Sequence, residues 1–534
     1  MSILCSFLVL VPYFSFLIYT IQMILKEYKT TSGEIILYNG NLETQKLDVL
    51  AEGYGDIWHS SFEQGYKNAF PEIAIQGSVL FWYGTDFDNL DQCVSWRINP
   101  NQFAVRKSAW EILGGFDSDY ESIQMQAFDF GICSLRFQGA IPLYVKGLFE
   151  INEIESFQIP ARDRYAFFIK NFKIDHAIFM VYRKGFWKYI EWDAFLYAKK
   201  RFSMRVNRAF LPPRKLKEIE GKPTVSYIIP TMSRQDFTLQ LLNDLAHQFY
   251  KPTQVFVVDA TPVNKRDELL YQAQEFPFEL TVIWQKSKGS CRARNEAIEL
   301  CTGDFVVFGD DDIRIPPDFI ENHIKVLQTY QAGASNGLDV TADHAKQGLD
   351  DLKNKLKAID NTRWVVGTAQ MFSNANSCVK KIHVDQLVGN DINYDGGYGE
   401  DGDFGLSLIK LGVPVLQNPF PANLHLKPVN GGYRIWGNQA KIMGKKRKIQ
   451  PWELDTPVKW VRPVPSPTLT YQFYKHFTPQ QCTEFRHRYF MTFLIQGPKI
   501  TFLYRVLRMP YKHLQFNRSI FYAKKLLKLG VRTK

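Results

Sequence analysis

The chain has 534 residues, 45% of them hydrophobic and 22% charged, with a formal net charge of +11. It is too long for one ordinary core and its composition is that of a globular protein, which excludes a disordered or fibrous chain and predicts two or more domains. Seven cysteines (Cys5, Cys93, Cys133, Cys291, Cys301, Cys378, Cys482) make no zinc-ligand spacing and are odd in number, so reduced thiols in a cytoplasmic compartment are expected.

The charge is concentrated at one end. From Phe485 onward there is no Asp or Glu but twelve Lys or Arg, which leaves the rest of the chain near neutral. A nucleic-acid-binding body is thereby excluded, and no nucleic acid is expected as partner.

In chain order, Ile3 to Leu25 is uncharged and long enough to span a bilayer, with Lys26 and Lys29 following it. A single span would leave the remainder in the cytoplasm. The competing reading makes it a strand and helix of a folded domain, split at Pro12.

Residues 1–160 read as an eroded copy of a later domain. SGEIILYNGN (Ser32 to Asn41) parallels TGDFVVFGDDD (Thr302 to Asp312), and FAVRKSAWEILGGFD (Phe103 to Asp117) parallels SCVKKIHVDQLVGND (Ser377 to Asp391). DFGICSLRFQGAIP from Asp129 parallels DFGLSLIKLGVP from Asp403, so Gln126 and Ala127 stand where the later copy has Glu400 and Asp401. The frame is kept and the carboxylates are lost, as in a structural or acceptor-binding module.

Residues 161–221 form an aromatic and basic helical linker that ends at Pro212 and Pro213, where a domain boundary is expected. From Thr224 short apolar strands alternate with helices: TVSYIIPT, QVFVVD, LTVIWQ and GDFVVFG. That alternation predicts an open, largely parallel α/β sheet with ligands beyond the strand C-termini. The last strand runs into Asp310, Asp311 and Asp312. Three carboxylates repel one another, and a hard divalent cation shared with phosphate oxygens would relieve the repulsion; the alternative is a solvated acidic turn. In GYGEDGDFG the acids suit a helix N-terminus, the structural part expected of Asp403.

IIPTMSR, VVDAT, KGSCRARN, GDDD and GYGEDGDFG, in that order over residues 222–433, resemble a family 2 glycosyltransferase of the GT-A (Rossmann-like) fold. GYGEDGDF is also similar to the galactosyltransferase-type segment of polysaccharide-polymerising enzymes. The resemblance implies a catalytic domain over 222–450, a nucleotide-sugar donor that is UDP-linked, Mn²⁺ or Mg²⁺, and a growing surface polysaccharide or lipid-linked glycan as acceptor. It implies that Pro230, Thr231 and Arg234 border the nucleotide, that Asp259 meets the base, and that Gly289, Arg294 and Asn295 flank the donor. Asp310 and Asp311 would face the sugar nucleotide, Asp310, Asp312 and His425 the metal, and Asp401, with Glu400 beside it, would be the base of an inverting hexosyl or N-acetylhexosaminyl transfer. A reading from another class is a non-catalytic glycan-binding or scaffold subunit of a polysaccharide assembly. A nucleotidyltransferase would call for a Gly-rich loop with Lys after the first strand, which PTMSR lacks.

Residues 451–534 resemble no family. FLYRVLRM and SIFYAKKLLKL interleave apolar and basic residues as amphipathic helices do, suiting either an anionic membrane at the inner face of the plasma membrane or packing on the body.

Overall fold

The computed structural model describes residues 24–76, 81–150, 154–272, 274–387, 389–433 and 449–534. The apolar stretch Ile3 to Leu25 lies outside the described residues except for its last two positions. No helix among the described residues is long and apolar enough to cross a membrane.

The first unit has strands β1 (Lys26–Lys29), β2 (Ile35–Asn39), β3 (Ile57–His59), β4 (Gln92–Val94), β5 (Phe103–Arg106) and β6 (Pro142–Val145), with helix α1 (Ile123–Cys133) between the last two. Helices α2 (Ala161–Asn171), α3 (Ile174–Gly185) and α4 (Tyr189–Arg201) follow. In the second unit come β7 (Val225–Thr231), α5 (Gln235–Ala246), β8 (Gln254–Asp259), β9 (Glu279–Trp284), α6 (Ser290–Ile298), β10 (Phe305–Gly309), β11 (Ile313–Arg314), β12 (Ala334–Thr341), β13 (Asn376–Lys380), α7 (Glu400–Lys410) and β14 (Val415–His425). The chain ends in α8 (Pro467–His476), α9 (Pro479–Ile495), α10 (Phe502–Leu507) and α11 (Met509–Leu529).

The second sheet runs β11-β14-β12-β13-β10-β7-β8-β9. Its β9-β8-β7-β10 half is parallel, which suits strands such as Val225–Thr231 that are buried along their whole length. This is the expected α/β fold. The β-branched and aromatic runs end together, so the residues that follow β7, β8 and β10 share one edge.

The first sheet runs β1-β2-β5-β3-β6-β4. There β2 pairs antiparallel with β5, β5 antiparallel with β3, and β3 parallel with β6. The same three pairings link β10 to β13, β13 to β12 and β12 to β14. Glu150 N–H donates to the Asn41 carbonyl as Leu426 N–H donates to that of Asp312. Among the described residues the first sheet has no counterpart of β7, β8 and β9. Both DFG motifs keep their glycine because the helix is pressed against a neighbour: a Cβ on Gly131 would lie 2.1 Å from the Trp96 carbonyl oxygen, and one on Gly405 2.6 Å from the Trp82 ring.

The helices after each sheet also correspond. α4 packs along α2, and α11 packs along α8. α2 is buried along most of its length, and its Arg164 guanidinium donates to both carboxylate oxygens of Glu191 on α4, at 2.9 and 2.8 Å. α9 starts on a capping box between Thr478 and Gln481 with Pro479 in its first turn, and it meets α3 through Arg183–Glu484 and Arg488–Asp175 pairs. One continuous apolar cluster joins the two units, running from Trp58, Phe128 and Phe168 to Tyr227, Val257 and Leu327.

Candidate active site

A pocket of about 170 Å³ opens at the C-terminal ends of β7 and β10, lined by Pro230, Arg234, Ser290, Arg294, Asp310, Asp311, Asp312, Glu400, His425, Lys427, Gly432 and Tyr433. Thus Pro230, Arg234, Arg294, the aspartate triplet, Glu400 and His425, from five separate stretches of sequence, line one pocket. Gly289 stands just before α6, and a Cβ there would fall 2.1 Å from an oxygen of Asp395, so the turn into the helix requires glycine by close approach.

The three aspartates face different partners. Asp310 accepts from Arg294 Nη2 at 2.6 Å. Asp311 points inward, accepting from Thr231 Oγ1 at 2.7 Å and Arg234 Nη1 at 3.0 Å. Burial, with the Asp312 charge added, pushes its carboxyl up to about 7 despite Arg234. Asp312 accepts from Arg234 Nη1 at 2.9 Å and lies 3.3 Å from His425 Nε2. Burial works against its charge, but His425 and Arg234 outweigh it and hold the carboxyl below the usual range. The His425 ring also sits 3.2 Å from Asp339 through Nδ1. Burial disfavours its charge, yet the two carboxylates push it up to about 10.

One ligand atom from each of Asp310, Asp312 and His425 can be chosen such that all three lie within 4.8 Å of one another. Two carboxylates and an imidazole oriented from behind by a further carboxylate make a donor set that fits Mn²⁺ or Mg²⁺. In the first unit the corresponding places hold Asn39, Asn41 and Phe149, which cannot supply it.

Asp401 lies in the first turn of α7 beside Glu400, outside the set of residues lining the pocket, and accepts from Asn374 Nδ2 at 2.5 Å. Two expected donor contacts lie elsewhere. Asp259 is fully buried, with its carboxylate taking the Thr261 N–H at 2.7 Å and the Tyr271 hydroxyl at 3.0 Å. Asn295 spends its side-chain amide on the backbone of Asn390 and Thr533, tying α6 to the chain terminus. Thr231 reaches the site only through Asp311.

Sequence reasoning missed Asn374, Asp339, Tyr433 and the residues beneath α7. Asp403 accepts from Tyr394 at 2.9 Å, from Lys475 at 2.9 Å and from His476 at 2.6 Å, the last two delivered by α8. Burial opposes its charge, but His476 and Lys475 outweigh burial and hold the carboxyl low. Asp129 in the first unit accepts from Tyr120 at 2.9 Å, Asn171 at 2.7 Å and Arg205 at 2.8 Å. A signal was present: KNF at Lys170 to Phe172 and KHF at Lys475 to Phe477 stand at matching places at the ends of α2 and α8.

A pocket at the strand C-termini is where open α/β sheets bind their ligands. Residues 226–351, within the second unit, match the family described as Glycosyl transferase family 2. Over 119 residues the chain is 27% identical to the glycosyltransferase GlyA of Streptococcus pneumoniae serotype 4, covering 22% of this chain and 17% of that protein. The matched stretches span from 17% to 42% of the curated relatives' lengths. Similar solved structures include a mannosyltransferase of Pyrobaculum calidifontis in complex with GDP-Man and Mn²⁺ (18% identity, TM-score 0.34, 58% of this chain and 89% of that one). Another is Staphylococcus aureus TarS 1-349 in complex with UDP-GlcNAc (13% identity, TM-score 0.34, 56% and 81%).

Proposed function

We propose that the chain is an inverting, metal-dependent glycosyltransferase that moves a hexosyl or N-acetylhexosaminyl group from a UDP-sugar to a hydroxyl of a surface polysaccharide or lipid-linked glycan. The observation that carries this reading is the gathering of Asp310, Asp312 and His425 across one pocket from Glu400, with Asp401 next to it on the same helix turn. A divalent cation bound by the first three would stabilise the charge developing on a departing nucleoside diphosphate. Arg294 and Arg234 offer cationic N–H donors on the same side. Asp401, held by Asn374, would take the acceptor hydroxyl's proton as that oxygen attacks from the face opposite the leaving group, and one displacement inverts the anomeric centre. The six described cysteines are all free and buried, which suits a cytoplasmic site of action at the inner membrane face. For residues 24–150 the second reading, a non-catalytic copy with a structural or acceptor-binding part, is favoured by Asn39, Asn41, Phe149 and Ala127 at the places of the metal and base groups.

The test is release of nucleoside diphosphate from a panel of nucleotide sugars with and without Mn²⁺. One donor is expected to turn over only with metal. Asp312→Ala should lose both turnover and metal dependence, and Asp401→Asn should lose about 10²–10⁴-fold in turnover with donor affinity kept. A wild type that neither binds nor turns over any donor would leave the scaffold reading.

A further inference from the structure

The C-terminal helices carry a knob that the transferase reading does not use. Between α9 and α11 the chain projects as residues 496–508, nearly all exposed, with Ile500 91%, Leu503 68% and Leu507 73% accessible. The knob is built rather than loose: the Arg505 guanidinium is buried inside it and donates to the Leu494 and Pro498 carbonyls and to Thr501. Around the apolar tip stand Lys499, Arg508 and Lys512, which pair with no carboxylate among the described residues. The Lys512 ammonium lies over the Phe493 ring and the Arg508 guanidinium over that of Tyr504, so cation–π contacts hold both charges at the knob. The turn at the same position of the first unit, between α3 and α4, is also apolar and basic, with Trp187 73% and Tyr189 81% exposed beside Lys184 and Lys188.

We propose that the 496–508 knob docks the protein on an anionic lipid surface. The tip is aliphatic with a ring of cations and no acid, which matches an acyl boundary beneath negative headgroups. A second copy of the knob would oppose like charges, since Phe485 to Lys534 holds no Asp or Glu. A glycan would call for carboxylate or amide partners around the apolar residues, and this stretch has no carboxylate and a single amide, Gln496, at its base. The proposal stands apart from the transferase reading, because docking is read without turnover.

The experiment is co-sedimentation of the full chain with phosphatidylcholine vesicles, with or without about 30% phosphatidylglycerol. The wild type is expected to partition onto the anionic vesicles and to weaken as salt rises. Leu503→Asp combined with Leu507→Asp should reduce partitioning about tenfold or more, and Lys499→Gln combined with Arg508→Gln about fivefold per charge removed. All four positions are on the surface, and an unchanged melting temperature verifies that the variants fold. Three results would overturn the proposal: a wild type left in the supernatant; equal binding to neutral vesicles that the variants keep, which would point to the uncharged stretch Ile3 to Leu25; or a lipid-free dimer that Leu503→Asp with Leu507→Asp dissolves.

Discussion

Arg234 Nη1 bonds to both Asp311 and Asp312, and its other nitrogens donate to the Asn430 and Pro428 carbonyls. The guanidinium therefore neutralises a triplet that would otherwise repel itself. Replacing it by Gln leaves two buried carboxylates with less compensation. Arg234→Gln is expected to weaken donor affinity about tenfold and to lower the melting temperature in the absence of metal, with Mn²⁺ restoring part of the stability. Asp395 supplies a pH test away from the Asp310, Asp312 and His425 cluster. Burial pushes its carboxyl up to about 6, against the Cys291 N–H and Arg292 that favour its charge. A raised folded pKa means that the native state holds a proton the unfolded chain has released. Stability therefore falls as pH rises from about 4 to about 6, by an amount on the order of 1–3 kcal/mol. Asp395→Asn should flatten that stretch of the denaturation profile, measured by chemical unfolding at stepped pH. At this scale the sequence was legible where a side chain faces the pocket, as with Asp310, Asp312 and Arg294. It was not legible for Asp259 and Asn295, whose polar atoms are consumed by Tyr271 and by the Asn390 and Thr533 backbone, partners that only the folded chain brings near.

At the level of elements, α7 is fastened from below by α8. Lys475 and His476 put two N–H donors on Asp403, three residues after Glu400, and Lys475 also reaches Asp391 at 3.0 Å. The first unit does the same work with Lys170, Asn171 and Arg205 on Asp117 and Asp129. His476→Ala leaves Asp403 short of a partner, and a loss of about 1–3 kcal/mol is expected in urea unfolding, together with faster hydrogen exchange in the first turn of α7. His476→Asn, the solution already present at Asn171, should lose much less. This pair of helices also shows where patterning falls short. Alternating apolar strands and helices gave the parallel half of the second sheet, because period and burial agree there. The helices after each sheet carry mixed aromatic and basic residues with no clean apolar stripe, so an interdomain linker and a terminal tail were read where α2 pairs with α4, α8 pairs with α11, and α9 lies against α3.

For the whole molecule, cation binding offers the simplest global readout. A ligand that binds only the native state stabilises it by RT ln(1 + [L]/Kd), about 2.7 kcal/mol at a hundredfold excess over Kd. Mn²⁺ should thus raise the melting temperature of the wild type by a few degrees and leave that of His425→Ala unmoved, as followed by scanning calorimetry. The apolar cluster described above does not stop at the boundary between the units: Phe168 and Tyr227 belong to the same buried set, and the Arg214 guanidinium reaches back to the Gly53 carbonyl at 2.8 Å and to Asp56 at 3.1 Å. Such continuity predicts that the two halves melt as one cooperative unit. The heat-absorption trace should show a single peak, and a cavity cut at Phe168 should shift it for the distant pocket as much as for its own surroundings. The first half would then act as ballast for the half that carries the pocket.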